Sequence, residues 1–286
     1  MDNLKAKKRH PEEIAVYSAI YVCAAFSVLL LLGIIVYVFA KGARRVNWAF
    51  LTGVTSILHG TVGIAGNILN TLIIILLTMI ITTPIGVGAA IYLNEYAKPG
   101  KLVTVIIFAT ETLAGIPSII FGLFGMLFFG QLCHMGYSLL TGSLTLTLMV
   151  LPLVTRNTQE ALKTVPDSFR TGAVGLGAGK WYTIRTILLP SAMHGIVTGV
   201  ILAIGRIIGE SAALLFTAGS AHLLPKTFNA FLEKIFHSGG TLTIQLYLSA
   251  SKGEFEVAFG IAVVLLVIVL LINFGTKRLA KKLEKH

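Results

Sequence analysis

Two sets of residues have types and spacings that could do chemistry. The first is Gly172–Pro190, "GAVGLGAGKWYTIRTILLP", where glycines crowd ahead of Lys180 as they do in loops that wrap phosphate. A G-x-x-x-x-G-K-[ST] loop needs glycine at 174 and a hydroxyl at 181, and the chain has Val174 and Trp181 there. The dinucleotide pattern G-x-G-x-x-G, started at Gly175, fails at Lys180. Neither frame makes a nucleotide site. The segment fits a helix–turn–helix outline: Pro166 and Asp167 suit a helix start, Gly177 suits a turn, and "KWYTIRTILLP" (180–190) resumes an amphipathic pattern. A short exposed helical element of this kind is suited to a groove on a soluble partner. An ordinary interfacial linker is the plainer alternative.

The second set is Glu111, Arg156, Arg206 and Glu210, charges embedded in or beside apolar stretches. A charge at mid-bilayer costs about 2.5–3.5 kcal/mol on insertion scales, so it should face protein or water and have a partner. Arg206 falls roughly midway along the fifth expected helix, with Glu210 one turn on and Glu111 as a second candidate partner. A guanidinium grips oxyanions in a bidentate fashion. A neighbouring carboxylate can pair with it between passages and repel the departing anion. The structural alternative is an ion pair that fixes one helix against another. Arg156, close to the inner end of the fourth expected helix, either snorkels to the interface or receives an anion there. The histidines show no ligand spacing, and no nucleophilic triad, zinc set or pair of active-site carboxylates can be assembled. The expectation is a non-catalytic chain with no metal ligands and no cofactor of its own. Cys23 and Cys133 have no metal-site spacing and read as small buried hydrophobes.

The elements that must position these residues follow from the charges. The chain is 55% hydrophobic and 12% charged, against about 25% charged in ordinary soluble domains. Asp, Glu, Lys and Arg are absent from 14–40, 46–94, 112–155, 186–205 and 257–276. Crossing a hydrocarbon core takes about 20 apolar residues, and every one of these runs is long enough. The expected fold class is all-α integral membrane, with six transmembrane helices at roughly 15–40, 68–93, 102–130, 139–159, 192–218 and 256–275. Ile14–Ala40 is too long for a cleaved signal and reads as a retained first helix. Residues 1–13 form a basic tail, and 14–286 one transmembrane domain.

The net charge is +11. With both termini cytoplasmic, 15 of the 23 basic residues are inside and six (Lys41, Arg44, Arg45, Lys226, Lys234 and Lys252) outside. That satisfies the positive-inside rule and suits anionic lipid headgroups; it argues against a nucleic-acid partner. The 41–67 connection reads as a surface loop, 160–191 as the longest inner loop, and 219–255 as a mixed outer stretch at the interface. Pro84 is expected to kink the second helix, with Thr82 and Thr83 satisfying freed carbonyls. Two stripes at helical spacing join small residues to the charges: Glu111, Gly115, Ser118, Gly122 and Gly125, and Gly195, Gly199, Ala203, Arg206, Glu210, Ala213 and Thr217. Small residues there let helices approach closely.

"LGAGKWYTIRTILLP" resembles the cytoplasmic EAA loop of importer permeases of the ATP-binding-cassette class, with Gly177–Ala178 and a closing Pro190. "VPDSFRTGAVGLGA", "ETLAGIPSIIFGLFG" (111–125) and "GRIIGESAALLFTAG" (205–219) resemble the phosphate permeases of that class, the A-type subunit more than the C-type. The resemblance covers roughly 67–275, the expected permease core. The loop's usual leading glutamate falls on Thr171 and the alanine after it on Gly172. Docking is therefore expected to rely on shape and on Arg170, Lys180 and Arg185, with Trp181 in the same element. The resemblance implies a type I importer permease fold in the cell membrane and one half of a phosphate pathway. It also implies a related permease subunit as heterodimer partner, two ATPase copies carrying the ATP and Mg²⁺, and an extracytoplasmic phosphate-binding protein. A permease for another oxyanion, such as sulfate or molybdate, is the nearest alternative. A stand-alone channel or proton-coupled carrier using Glu111 or Glu210 is the alternative from another class.

Overall fold

The computed structural model describes residues 11–56, 61–225 and 227–283. Most of the basic tail (1–10), Lys226 and Lys285 lie outside the described residues. Charge-free stretches become long helices because a helix satisfies its own backbone hydrogen bonds where no water can. Helix α1 (Pro11–Gly42) leads to a short α2 (Trp48–Thr52), capped by the Asn47 side chain on the Phe50 amide. An antiparallel hairpin follows, β1 (Val54–Ser56) and β2 (Thr61–Ile64). The described residues of the expected surface loop 41–67 therefore include a helix and two strands, anchored by buried Phe50 and Ile64.

Helix α3 (Ala65–Ile91) passes through Pro84 and ends in a π-helical turn, Tyr92–Tyr96. The Thr82 hydroxyl, expected to cover a freed carbonyl, is buried without a hydrogen-bond partner. The third expected helix, 102–130, is two: α4 (Lys101–Gly115) and α5 (Ser118–Gly125), bent by 103° and continued by a π-helical Met126–Leu132. Pro117 explains the break, since it lacks an N–H and restricts the residue before it. Ser118, Gly122 and Gly125 thus do not share a helix face with Glu111 and Gly115. They still pack: a Cβ on Gly122 would meet the Ala213 backbone at 2.8 Å.

Helix α6 (Leu139–Lys163) begins at a Ser138 cap and runs one turn beyond the expected 159. Helices α7 (Asp167–Gly175) and α8 (Lys180–Thr183) follow, then a π-helical Ile184–Leu188 that runs into α9 (Leu189–Gly209). The inner loop expected over 160–191 is therefore largely helical. The fifth expected helix, 192–218, is also divided: α9 stops at Gly209 and α10 (Ala212–Thr217) starts afresh. Helices α11 (Phe228–Glu233) and α12 (Leu242–Ser251) shape the outer stretch, and α13 (Phe255–Leu283) is the last long helix.

Among the described residues, five helical stretches are long and apolar enough to cross a membrane, or six where the bent pair α4–α5 counts as one span. The core lies where α3, α6 and α9 meet. Close approach there rests on the small residues: a Cβ on Gly86 would meet Val154 at 2.9 Å, and one on Gly199 would meet Asn157 at 2.6 Å. The 219–255 stretch is tied onto α3 by Asn67 and Asn70, whose amides both donate to the Gly240 carbonyl at 3.0 Å. By contrast, the apolar stretch of α1 is not buried within the chain, so this helix presents its surface to lipid or to another subunit. Cys23 lies on it exposed, and Cys133 is exposed too, which overturns the expectation of two buried thiols.

Candidate translocation cavity and coupling element

Helix α9 carries Gly195, Gly199 and Ala203 toward α6; a Cβ on Gly195 would meet that of Ala161 at 2.5 Å. Farther along, where Arg206 replaces a small residue in the last turn of α9, the helices part around a cavity of about 200 Å³. Its lining includes Arg206 of α9, Arg156, Pro152 and Leu153 of α6, and Glu111 and Thr110 of α4. A second cavity, about 160 Å³, shares Thr110, Glu111 and Arg156 and extends to Gln159, Glu160 and Lys163 at the end of α6. Three of the four expected pathway residues therefore meet, although they lie on three different helices.

The fourth does not join them. Glu210 lies past the end of α9 in extended backbone, φ −82° and ψ 123°. Its carboxylate accepts from the Ala213 amide at 3.1 Å, capping α10, and its carbonyl accepts from the Thr243 hydroxyl at 2.9 Å. The expected Arg206–Glu210 pair, one turn apart on a continuous helix, is absent because the helix ends between them. Among the described residues, Arg156, Arg206 and Glu111 take part in no ion pair. All three side chains are exposed. Two guanidiniums with free forks and one carboxylate line a cavity whose remaining wall is mostly apolar, with Ala114, Met149, Pro152 and Leu153. Such a set can hold a multivalent oxyanion by charge-assisted hydrogen bonds. The described residues contain no cluster of His, Cys, Asp or Glu that could hold a metal ion.

The second element is the helix–turn–helix over α7 and α8. Gly177 sits at φ +80°, where an L side chain is strained, and the Gly177 amide donates to the Val174 carbonyl at 2.9 Å. The Ala178 amide closes the same turn onto the Ala173 carbonyl. Leu176 is 91% exposed, and Val174, Trp181, Tyr182 and Phe169 are exposed around it. An apolar patch on a short rigid element marks an interaction site. Arg185 and Pro190 are exposed as well, and Thr171 spends its hydroxyl on the α7 backbone at Asp167.

Arg170 points the other way. Its Nη2 lies 2.9 Å from Glu95 Oε1 and its Nη1 3.0 Å from Asp167 Oδ1. The same two nitrogens donate to the carbonyls of Leu162 and Val165. The hydrogen bond to Glu95 above all holds the Arg170 guanidinium above its ordinary pKa. Lys180 stays exposed, with its Nζ 4.7 Å from the centre of the Tyr96 ring. Two of the three cations expected on the docking surface thus contact the Tyr92–Tyr96 end of the α3 span, Arg170 at Glu95 and Lys180 at Tyr96. Glu95, the acceptor at the centre of this collar, was not singled out in the sequence. Its signal was available: it is the only carboxylate between Glu13 and Glu111, and a lone carboxylate among basic inner segments needs a cation.

Residues 82–286 match the family described as binding-protein-dependent transport system inner membrane component. The probable ABC transporter permease protein YqgI of Bacillus subtilis (strain 168) is 35% identical over 273 residues, 92% of this chain and 93% of that protein. The phosphate transport system permease protein PstA of Xylella fastidiosa (strain Temecula1 / ATCC 700964) is 35% identical over 246 residues, 84% of this chain and 82% of that protein. In fold, the chain is similar to one from a bacterial alginate ABC transporter crystallised with an alginate-bound periplasmic protein. The TM-score is 0.71 at 14% identity, covering 96% of both chains. The cavity between membrane-crossing helices and the exposed helical element beside it are the parts a transport subunit requires; the chain belongs to the binding-protein-dependent transport system inner membrane components, the multi-pass permease subunits of ABC importers.

Proposed function

We propose that this chain is the A-type permease subunit of an ATP-driven importer of inorganic phosphate, forming half of the pathway. The observation that carries the reading is the meeting of Arg156, Arg206 and Glu111 around one cavity, next to a second that shares Glu111 and Arg156 and extends to Lys163. Similarity to PstA proteins supports phosphate as the cargo. The two arginines grip the oxyanion in turn, Arg206 first and Arg156 nearer the inner end of α6. Glu111, rather than Glu210, is the carboxylate placed to neutralise them between passages and to repel the leaving anion. A related permease subunit supplies the other half of the pathway. The basic inner segments support cytoplasmic termini, which places α7–α8 inside. There Leu176, Trp181 and Tyr182 dock on one of two ATPase copies, which hold the ATP and Mg²⁺, while a phosphate-binding protein delivers cargo from outside. Closure of the ATPases moves α7–α8, and the Arg170–Glu95 collar transmits that motion to α3.

Reconstitution with the partner permease, the ATPase and the binding protein tests the reading through ATP-dependent phosphate uptake, with sulfate and molybdate as competitors. Uptake should depend on both arginines and resist the competing anions. Uptake blocked equally by sulfate would assign the pathway to another oxyanion. Transport by the purified chain alone, driven by a gradient, would make it a carrier.

A further inference from the structure

A larger cavity lies elsewhere and takes no part in transport as argued above. It is about 850 Å³, between the end of α1 and the start of α13. Lys41, Arg44 and Arg45 converge on it, with Glu256 as the one carboxylate in its lining and Tyr37, Phe255 and Phe259 as aromatic walls. Among the described residues none of the three cations is ion-paired. Arg45 Nε is buried without a hydrogen-bond partner, and the rest of the guanidinium lies over the Phe50 ring, 5.8 Å from its centre. The lining therefore keeps an excess of positive charge.

Its level is set by the spans. The first ends at Arg45 and the last begins at Phe255, so the cavity opens where two spans leave the hydrocarbon, the depth favoured by aromatic and basic side chains. Below it runs the apolar surface of α1, which is not buried in the chain. In the orientation proposed above, Lys41, Arg44 and Arg45 are half of the six basic residues on the outer side. The charge rule disfavours that side, and nothing in the transport route uses them.

We propose that this cleft binds the headgroup phosphate of an anionic phospholipid in the outer leaflet, with Lys41, Arg44 and Arg45 on the phosphate and the acyl chains along α1. Free inorganic phosphate shares the chemistry of the headgroup. The lipid is favoured because the site is walled by aromatic rings and continues into an exposed apolar helix face. The assignment does not depend on which anion the importer carries.

The assembled importer, delipidated in detergent, is titrated with phosphatidylglycerol or phosphatidylcholine, and bound lipid is counted by native mass spectrometry. Each cation near a membrane surface contributes about fivefold in affinity for anionic lipid. Arg44→Gln should therefore weaken retention of one phosphatidylglycerol per chain about fivefold, and the triple Lys41→Gln, Arg44→Gln, Arg45→Gln variant by about a hundredfold. Phosphatidylcholine retention should stay unchanged in both. Removing outer positive charge strengthens the orientation bias, so the variants keep their topology. Should the triple variant fail to assemble, the single exposed Arg44→Gln decides. Phosphatidylglycerol retained equally by wild type and Arg44→Gln overturns the site. Its displacement by millimolar inorganic phosphate overturns the choice of lipid as ligand.

Discussion

The Arg156–Arg206–Glu111 cavity and the Arg170–Glu95–Asp167 collar are built from the same residue types and do opposite things. In the collar every charge is engaged: Arg170 meets two carboxylates and two carbonyls, and the Glu95 side chain is only 8% exposed. In the cavity the charges share a space but no ion pair links them. Paired charges in a snug geometry fix two elements together, whereas unpaired charges at an open space keep their hydrogen-bonding capacity for a ligand. The contrast gives the arginines separable phenotypes.

The largest effect should come from the collar. Arg170→Ala leaves the mostly buried Glu95 carboxylate without its cation, a loss of about 3 kcal/mol for a buried pair, discounted here to about 2 kcal/mol because Arg170 is partly exposed. Thermal unfolding of the purified assembly should show it as a lowered midpoint, and Arg170→Lys should recover only part because a single ammonium cannot replace the fork. In the cavity, Arg206→Ala should leave the melting profile alone and lower phosphate uptake about tenfold or more, the cost of a lost charge-assisted contact. Equal melting losses in both variants would erase the distinction between the two regions.

Glu111→Gln sharpens the comparison in a different direction. With the arginines unneutralised, phosphate should bind more tightly and leave more slowly, so apparent affinity rises while maximal uptake falls by severalfold. The smallest effect belongs to Lys180→Ala, which removes one cation–π contact with Tyr96 worth about 0.5–1 kcal/mol at an exposed site. The melting midpoint should drop slightly, with phosphate affinity unchanged.

Much of this was legible in the residues. The absence of charge over long runs marks the spans because the bilayer's cost for a charge is large and local, and Gly177 marks its turn because only glycine sits easily at φ +80°. What helical periodicity could not supply was where a helix stops. Spacing alone placed Glu210 one turn beyond Arg206, yet α9 ends at Gly209 and the extended Glu210 gives its carboxylate to the Ala213 amide. Likewise Pro117 turns α5 away from α4, so the stripe expected over 111–125 is split, while Glu111 and Arg206 line one cavity from different helices. Arg170 read as a docking cation because sequence shows the charge and not its partner, which lies 75 positions earlier.

Uptake of phosphate by the reconstituted importer carrying Arg206→Ala, beside Arg206→Lys and wild type, addresses the central claim most directly. The account predicts a loss of about tenfold or more for alanine and partial activity for lysine, with assembly and melting unchanged. Wild-type uptake by the alanine variant would contradict it, because an arginine that holds the passing anion cannot be dispensable.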